Sequence, residues 1–155
     1  MTVVRIAKNF KDIDVCLSTL EELVKAVCNR FTKHYTPKTR YEISIALVDD
    51  AQIRKLNARF LNRSDTTDCL SFDLSDDNAA PTQKTFELVV NAEMAVKQAG
   101  LRCHSSQAEL ALYITHALLH RFGFDDSEKA QAKKMHDTED EILQDFGFGV
   151  VYNKK

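Results

Sequence analysis

The stretch Thr115-His116-Ala117-Leu118-Leu119-His120-Arg121-Phe122-Gly123-Phe124-Asp125-Asp126 narrows what this chain can become more than any other. It closes a helix signal. Ser106 with Glu109 makes a capping-box pattern, and the helix it opens runs to about residue 122 before Gly123 ends it. His116 and His120 are four residues apart, so on that helix they stand one turn above the other and project the same way. Two imidazoles so placed can grip a metal ion from one side. Gly123 lets the backbone take a left-handed turn that swings the chain back toward the ion. A carboxylate three residues later, Asp126, can complete a set of three protein ligands. That leaves a position for water, the usual arrangement at a catalytic zinc, which lowers the pKa of that water toward ~7. Asp125 and His136 are the alternative third ligands. Plainer uses compete: histidines at this spacing are often structural, and Asp126 with Ser127 stands where the last helix needs an N-cap. The residue after His116 is Ala117, so the H-E-x-x-H pattern is absent and a protease reading loses its general base.

The remaining chain supplies the scaffold. Strand patterns fall at residues 3–7, 41–48, 69–74 and 86–90, the second alternating with Tyr41, Ile43, Ile45 and Leu47 on one face. A first helix, capped by Asp12 or Asp14, carries Val15, Leu20, Leu23, Val24, Val27 and Phe31 and breaks off at Thr36-Pro37. A second, capped by Asp49 or Asp50, runs to about Phe60, and a polar loop spans 61–67. Another loop, containing Pro81, reaches to about Lys84. Residues 92–99 form a short helix stopped by Gly100, and a last helix starts near Ser127 with Ala130, Met135, Ile142 and Leu143 on its apolar side. Strands early and helices late predict an α+β fold: one mixed sheet of about four strands flanked by helices, a single domain over residues 1–155.

Composition bounds the function. No stretch approaches the roughly 20 apolar residues that span a bilayer. Arg5 interrupts the apolar N-terminus, which reads as a first strand and not as a signal peptide, so a cytoplasmic location is expected. Cys16, Cys28, Cys69 and Cys103 form no C-x-x-C pair and read as buried free thiols suited to a reducing compartment. The net charge of −2 means that any nucleic-acid contact rests on a local patch. His34 and His104 read as surface residues.

The histidine segment resembles the signature H-G-x-L-H-x-x-G-[YF]-D-H of the YbeY family, bacterial endoribonucleases of ribosomal RNA maturation. The likeness continues outside it. Leu56-Asn57 followed by Thr67-Asp68-Cys69-Leu70-Ser71-Phe72 is similar to the family's leucine-asparagine and T-D-V-L-S-F. Glu87-Leu88-Val89-Val90 stands where the family opens a strand with an acidic residue, and Met135, Glu139, Ile142, Leu143 and Gly147 match its closing helix. The resemblance implies a zincin-like fold and a zinc-dependent, single-strand-specific endoribonuclease. In it, metal-activated water would hydrolyse a phosphodiester during rRNA maturation and ribosome quality control. One zinc per chain on His116, His120 and Asp126, single-stranded rRNA as substrate and the ribosome or ribosomal proteins as partners follow from it. Ser71 and Phe72 would line the cleft.

Three of the departures from the pattern bear on the site. The family's third histidine is Asp126 here, and two histidines with one carboxylate also suit iron, manganese or nickel. A functionally important arginine is replaced by Leu61, flanked by Arg59 and Arg63, and the proline before T-D is Thr66. Phosphodiester chemistry needs a cation to offset developing charge, and Arg54, Lys55, Arg59 and Arg63 are the local source, with Arg59 or Arg63 the candidates to reach the substrate. The alternative is a catalytically weak ribosome-assembly or RNA-binding factor on the same fold. A metal hydrolase of small molecules or peptides is a second rival.

Overall fold

A computed structural model of the chain describes residues 2–32, 39–76, 78 and 82–152. Its elements are β1 (Thr2–Lys8), α1 (Leu17–Thr32), β2 (Arg40–Val48), α2 (Asp50–Leu61), β3 (Cys69–Asp73), β4 (Gln83–Asn91), α3 (Ala92–Arg102), α4 (Ser106–Arg121) and α5 (Lys129–Asp145). The strands form one sheet in the order β1-β2-β4-β3. β1 and β4 lie parallel to β2, while β3 runs antiparallel along β4 at the sheet edge, with Ser71 opposite Leu88 and Phe72 opposite Glu87. This is the expected mixed four-stranded α+β sheet.

The alternation in each strand decides which helix it meets. Tyr41, Ile43, Ile45 and Leu47 of β2 and Phe86, Leu88 and Val90 of β4 face one side, where α1, α3, α4 and α5 bury them. Val48, Leu70 and Val89 face the other side and are covered by Ile53 and Leu56 of α2. Helix α4 runs through the larger core. From Ala108 to Leu119 it is buried on nearly every side, and only His116 of that run remains partly open. A helix apolar all round belongs inside a layered core, and this one carries its two histidines to the core's margin.

Several boundaries differ from expectation, each for a visible reason. Helix α1 starts at Leu17, beyond Val15, with the Cys16 carbonyl accepting from the Leu20 N–H. The cap of α4 is Ser105, whose hydroxyl accepts from the Ala108 N–H; Glu109 instead turns inward, nearly fully buried, to meet Arg102 and His104. Gly100 does not stop α3. The helix continues to Arg102, whose side chain is anchored on Glu109, and Cys103 takes the left-handed C-cap. His104 is therefore no surface residue: its side chain is 9% exposed. Cys28 is buried, but Cys16 and Cys103 are exposed and Cys69 is half-buried, so burial is not a property of all four thiols. Thr36-Pro37, His34 and Pro81 lie outside the described residues.

Candidate metal centre

The turn after α4 is built by aromatic packing and one glycine. Phe122 lies against Phe31, Tyr41 and Phe86 at centroid distances of 5.4, 5.6 and 5.9 Å, and Phe124 meets Phe31 at 5.5 Å. Gly123 has φ +95°, a backbone state that L-residues avoid, which lets the Phe124 N–H return to the Leu119 carbonyl at 3.0 Å. The reversal places the Phe124 carbonyl 3.1 Å from His120 Nδ1. Asp125 is then spent locally: its carboxylate accepts from the Ser127 N–H and hydroxyl at 3.0 and 2.9 Å. Those bonds hold its carboxyl below the usual range. The last helix takes Glu128 as its first boundary residue, with no side-chain cap. Asp126 is thus not its N-cap. Its Oδ2 stands 3.5 Å from His116 Nε2 and 3.7 Å from His120 Nε2.

The hydrogen-bond chemistry of this group is incomplete in an informative way. Glu139, buried on α5, faces His116 Nδ1 at 2.8 Å. A carboxylate only accepts, so Nδ1 carries the proton; the Phe124 carbonyl makes the same demand of His120 Nδ1. In the neutral rings both Nε2 atoms are then bare lone pairs, yet they lie 3.1 Å from each other. The third neighbour, Asp126 Oδ2, is another acceptor. Three acceptors converge with no donor among them, an arrangement that a cation resolves. Ligands about 2.0–2.1 Å from one tetrahedral zinc stand about 3.4 Å apart, which is the spacing of this group. The environment also favours positive charge. Burial works against protonating His116, but the hydrogen bond to Glu139 and the charges of Glu139, Asp68 and Asp126 outweigh it and raise its pKa.

Of the alternative ligands, Asp125 is outside the cluster, and His136 belongs to a second group with His116 and Glu139. There His136 Nδ1 lies 3.2 Å from both Glu139 oxygens, so Glu139 orients two imidazoles at once. These side chains open onto a cleft of about 520 Å³ lined also by Thr67, Asp68, Arg102, Glu109, Tyr113 and Tyr152.

The residues expected to meet substrate sit around β3, not in that cleft lining. Strand alternation separates Ser71 from Phe72. Phe72 packs with the α2-side cluster, its ring 5.5 Å from Phe60, while Ser71 shares with Cys69 the face toward α4. The Arg59 guanidinium lies 5.3 Å over the Phe60 ring, and Arg63 follows the left-handed cap Asn62. The cation that does line the cleft is Arg102, committed to Glu109 and to the carbonyls of Val151 and Tyr152. Sequence reasoning gave Glu139 and Asp68 no site role. For Glu139 a signal existed: it sits four after Met135 and three before Ile142, a carboxylate on the apolar stripe of its helix.

Fold and site together define a class: an α+β protein whose sheet-packed helix carries two histidines to a carboxylate in the following turn. Comparison with known proteins makes the assignment particular, and the chain belongs to the YbeY family. The family profile described as endoribonuclease YbeY matches residues 5–147. The endoribonuclease YbeY of Finegoldia magna is 32% identical over 107 residues, covering 69% of this chain and 70% of that protein. That of Caldicellulosiruptor bescii is 30% identical over 146 residues, covering 88% and 90%. The solution structure of TM1509 from Thermotoga maritima superposes with a TM-score of 0.57 at 21% identity, over 93% of this chain and 89% of that one, a likeness of fold. Among the described residues no helix is long and apolar enough to cross a membrane.

Proposed function

We propose that this chain is a metal-dependent, single-strand-specific endoribonuclease of rRNA maturation and ribosome quality control. One hydrolase domain spans residues 1–155 and works in the cytoplasm alongside ribosomal partners. His116, His120 and Asp126 hold one divalent metal, with zinc first and iron, manganese or nickel also compatible with the donor set. The observation that carries this reading is the convergence of three acceptor atoms without a donor. A metal bound there supplies Lewis-acid polarisation of a phosphoryl oxygen and an activated water.

The chain's own residues do the rest. Glu139 and the Phe124 carbonyl keep the Nδ1 protons of His116 and His120 in place, so both Nε2 atoms face inward. Asp126 brings one negative charge to the set, which makes it a weaker activator than three histidines. Arg59 or Arg63, at the end of α2 and in the loop before β3, offsets phosphate charge. Ser71 and Phe72 guide the strand along the sheet edge formed by β3.

The second reading, a weakly active RNA-binding assembly factor, is favoured by Leu61, 52% exposed where the family carries arginine. One experiment separates the two. Protein purified without added metal is analysed for its elements and assayed on single-stranded RNA with and without chelator, beside His116→Ala. Near-stoichiometric zinc with chelator-sensitive cleavage supports the nuclease. Cleavage that survives either chelator or His116→Ala sinks it, and RNA binding without cleavage selects the second reading.

A further inference from the structure

The chain after α5 returns to the cleft and is held there by its backbone. Val151 is fully buried, and the N–H groups of Val151 and Tyr152 both donate to Asp140 Oδ1, at 3.0 and 2.9 Å. Arg102 donates to the carbonyls of the same two residues. No bond in this set uses the Tyr152 side chain. Its ring instead lies flat on His136, with centroids 3.5 Å apart and planes within 8°. His136 is in turn nearly parallel to His116, at 6.0 Å and 11°. Tyr152, His136 and His116 thus form a row of near-parallel rings leading from the rim of the cleft to the metal centre. At the outer end of the row Tyr152 is 43% exposed, although it is a large aromatic residue.

We propose that Tyr152 is a stacking residue for a nucleobase of the RNA substrate, the base adjoining the phosphodiester held at the metal centre. The proposal rests on the endoribonuclease reading of the site and adds what recognises the strand. Every base has a π-face, so stacking on an aromatic ring is tolerant of sequence. It requires an unstacked base, which single-stranded RNA offers and a continuous duplex withholds. The ring is already seated on His136 and its own backbone is tied at four points, so little ordering is lost on binding. His136 backs the platform while Glu139 holds its Nδ1.

The test uses the intact protein and a single-stranded oligoribonucleotide carrying 2-aminopurine, whose fluorescence is quenched by stacking. Wild type quenches it on mixing, Tyr152→Phe and Tyr152→Trp keep the quench, and Tyr152→Ala loses it. In steady state Tyr152→Ala raises KM on the order of 10-fold, with kcat and metal content held. An abasic nucleotide at the stacked position raises the wild-type KM to that of Tyr152→Ala and leaves the variant's unchanged. Unchanged KM in Tyr152→Ala, a Phe variant as defective as the Ala variant, or loss of metal from Tyr152→Ala would overturn the proposal. The quench does not depend on cleavage. A wild type that quenches but never cleaves keeps the platform and discards the nuclease, and one that cleaves without any Tyr152-dependent quench does the reverse.

Discussion

Two polar clusters flank the sheet, and they differ in how their hydrogen bonds are spent. At the start of α2, Asp50 accepts from Thr66, from Asn91 Nδ2 at 2.9 Å and from Arg54 Nε at 2.6 Å. Its own N–H donates to Glu93, and Asn91 caps α3 through the Met94 N–H. Acceptors meet donors throughout. At the end of α4, His116, His120 and Asp126 bring acceptor against acceptor, while the outer ring nitrogens of the two histidines are firmly partnered. The first arrangement is complete as it stands and ties the loop before β3 to two helices. The second is the one we propose a divalent cation completes. A satisfied network marks architecture, and a set of oriented, unsatisfied lone pairs marks a ligand site.

The sharpest way to break this contrast is His116→Ala. Metal affinity should fall by more than the roughly 100-fold that orienting partners alone are worth, with RNA cleavage lost in parallel. Competition against a chromophoric chelator measures it, and undiminished metal binding would end the distinction between the clusters. Glu139→Gln comes next. It leaves the three ligands in place but removes the carboxylate that orients His116, so affinity should drop about 10- to 100-fold with the fold retained by circular dichroism.

The complete cluster should respond in the opposite sense. Asp50→Asn should cost about 1–3 kcal/mol in chemical denaturation and leave metal content unchanged. It also predicts a pH dependence. Hydrogen bonds from Thr66 and Arg54 hold the Asp50 carboxyl at about 2, against 3.8 ordinarily. Because the folded state binds this proton less readily than the unfolded one, its stabilisation is present above the ordinary value. It drains as pH falls toward 2. Asp50→Asn should flatten that part of the acid limb, and an unchanged limb would show that the cluster is not what acid attacks. The smallest effect expected is a few-fold shift in metal preference for Asp126→His, toward zinc over manganese, since imidazole replaces a hard oxygen donor. Equal loading of the two metals before and after would mean that Asp126 is not a ligand.

Much of the scaffold was legible because its signals are local. The alternation Tyr41-Ile43-Ile45-Leu47 gave β2, Asp49 capped α2 through the Gln52 N–H, and Gly123 marked the end of α4. Gly100 misled for the complementary reason. A glycine inside a helix costs only about 1 kcal/mol, and the Arg102–Glu109 pair, invisible to local reading, holds the final turn of α3 in place. His104 misled likewise, its buried partner Glu109 being five residues away on the next helix. In the site, the spacing of His116 and His120 could be read directly, whereas Glu139 lies 23 residues from His116 and looked like part of a helix pattern.

By itself the sequence determined the periodicities, the four strands, the helical pairing of two histidines and the family to which the chain belongs. These depend on neighbours within a turn or a pleat, where geometry is nearly fixed by covalent structure. Tertiary structure alone decided which aspartate turns inward and that one buried glutamate aligns two imidazoles. It decided too that β3 splits Ser71 from Phe72 between two faces, and that Tyr152 comes back to the rim. Each of those outcomes joins residues far apart in the chain, and only the packing of helices on a common sheet sets the distance between them.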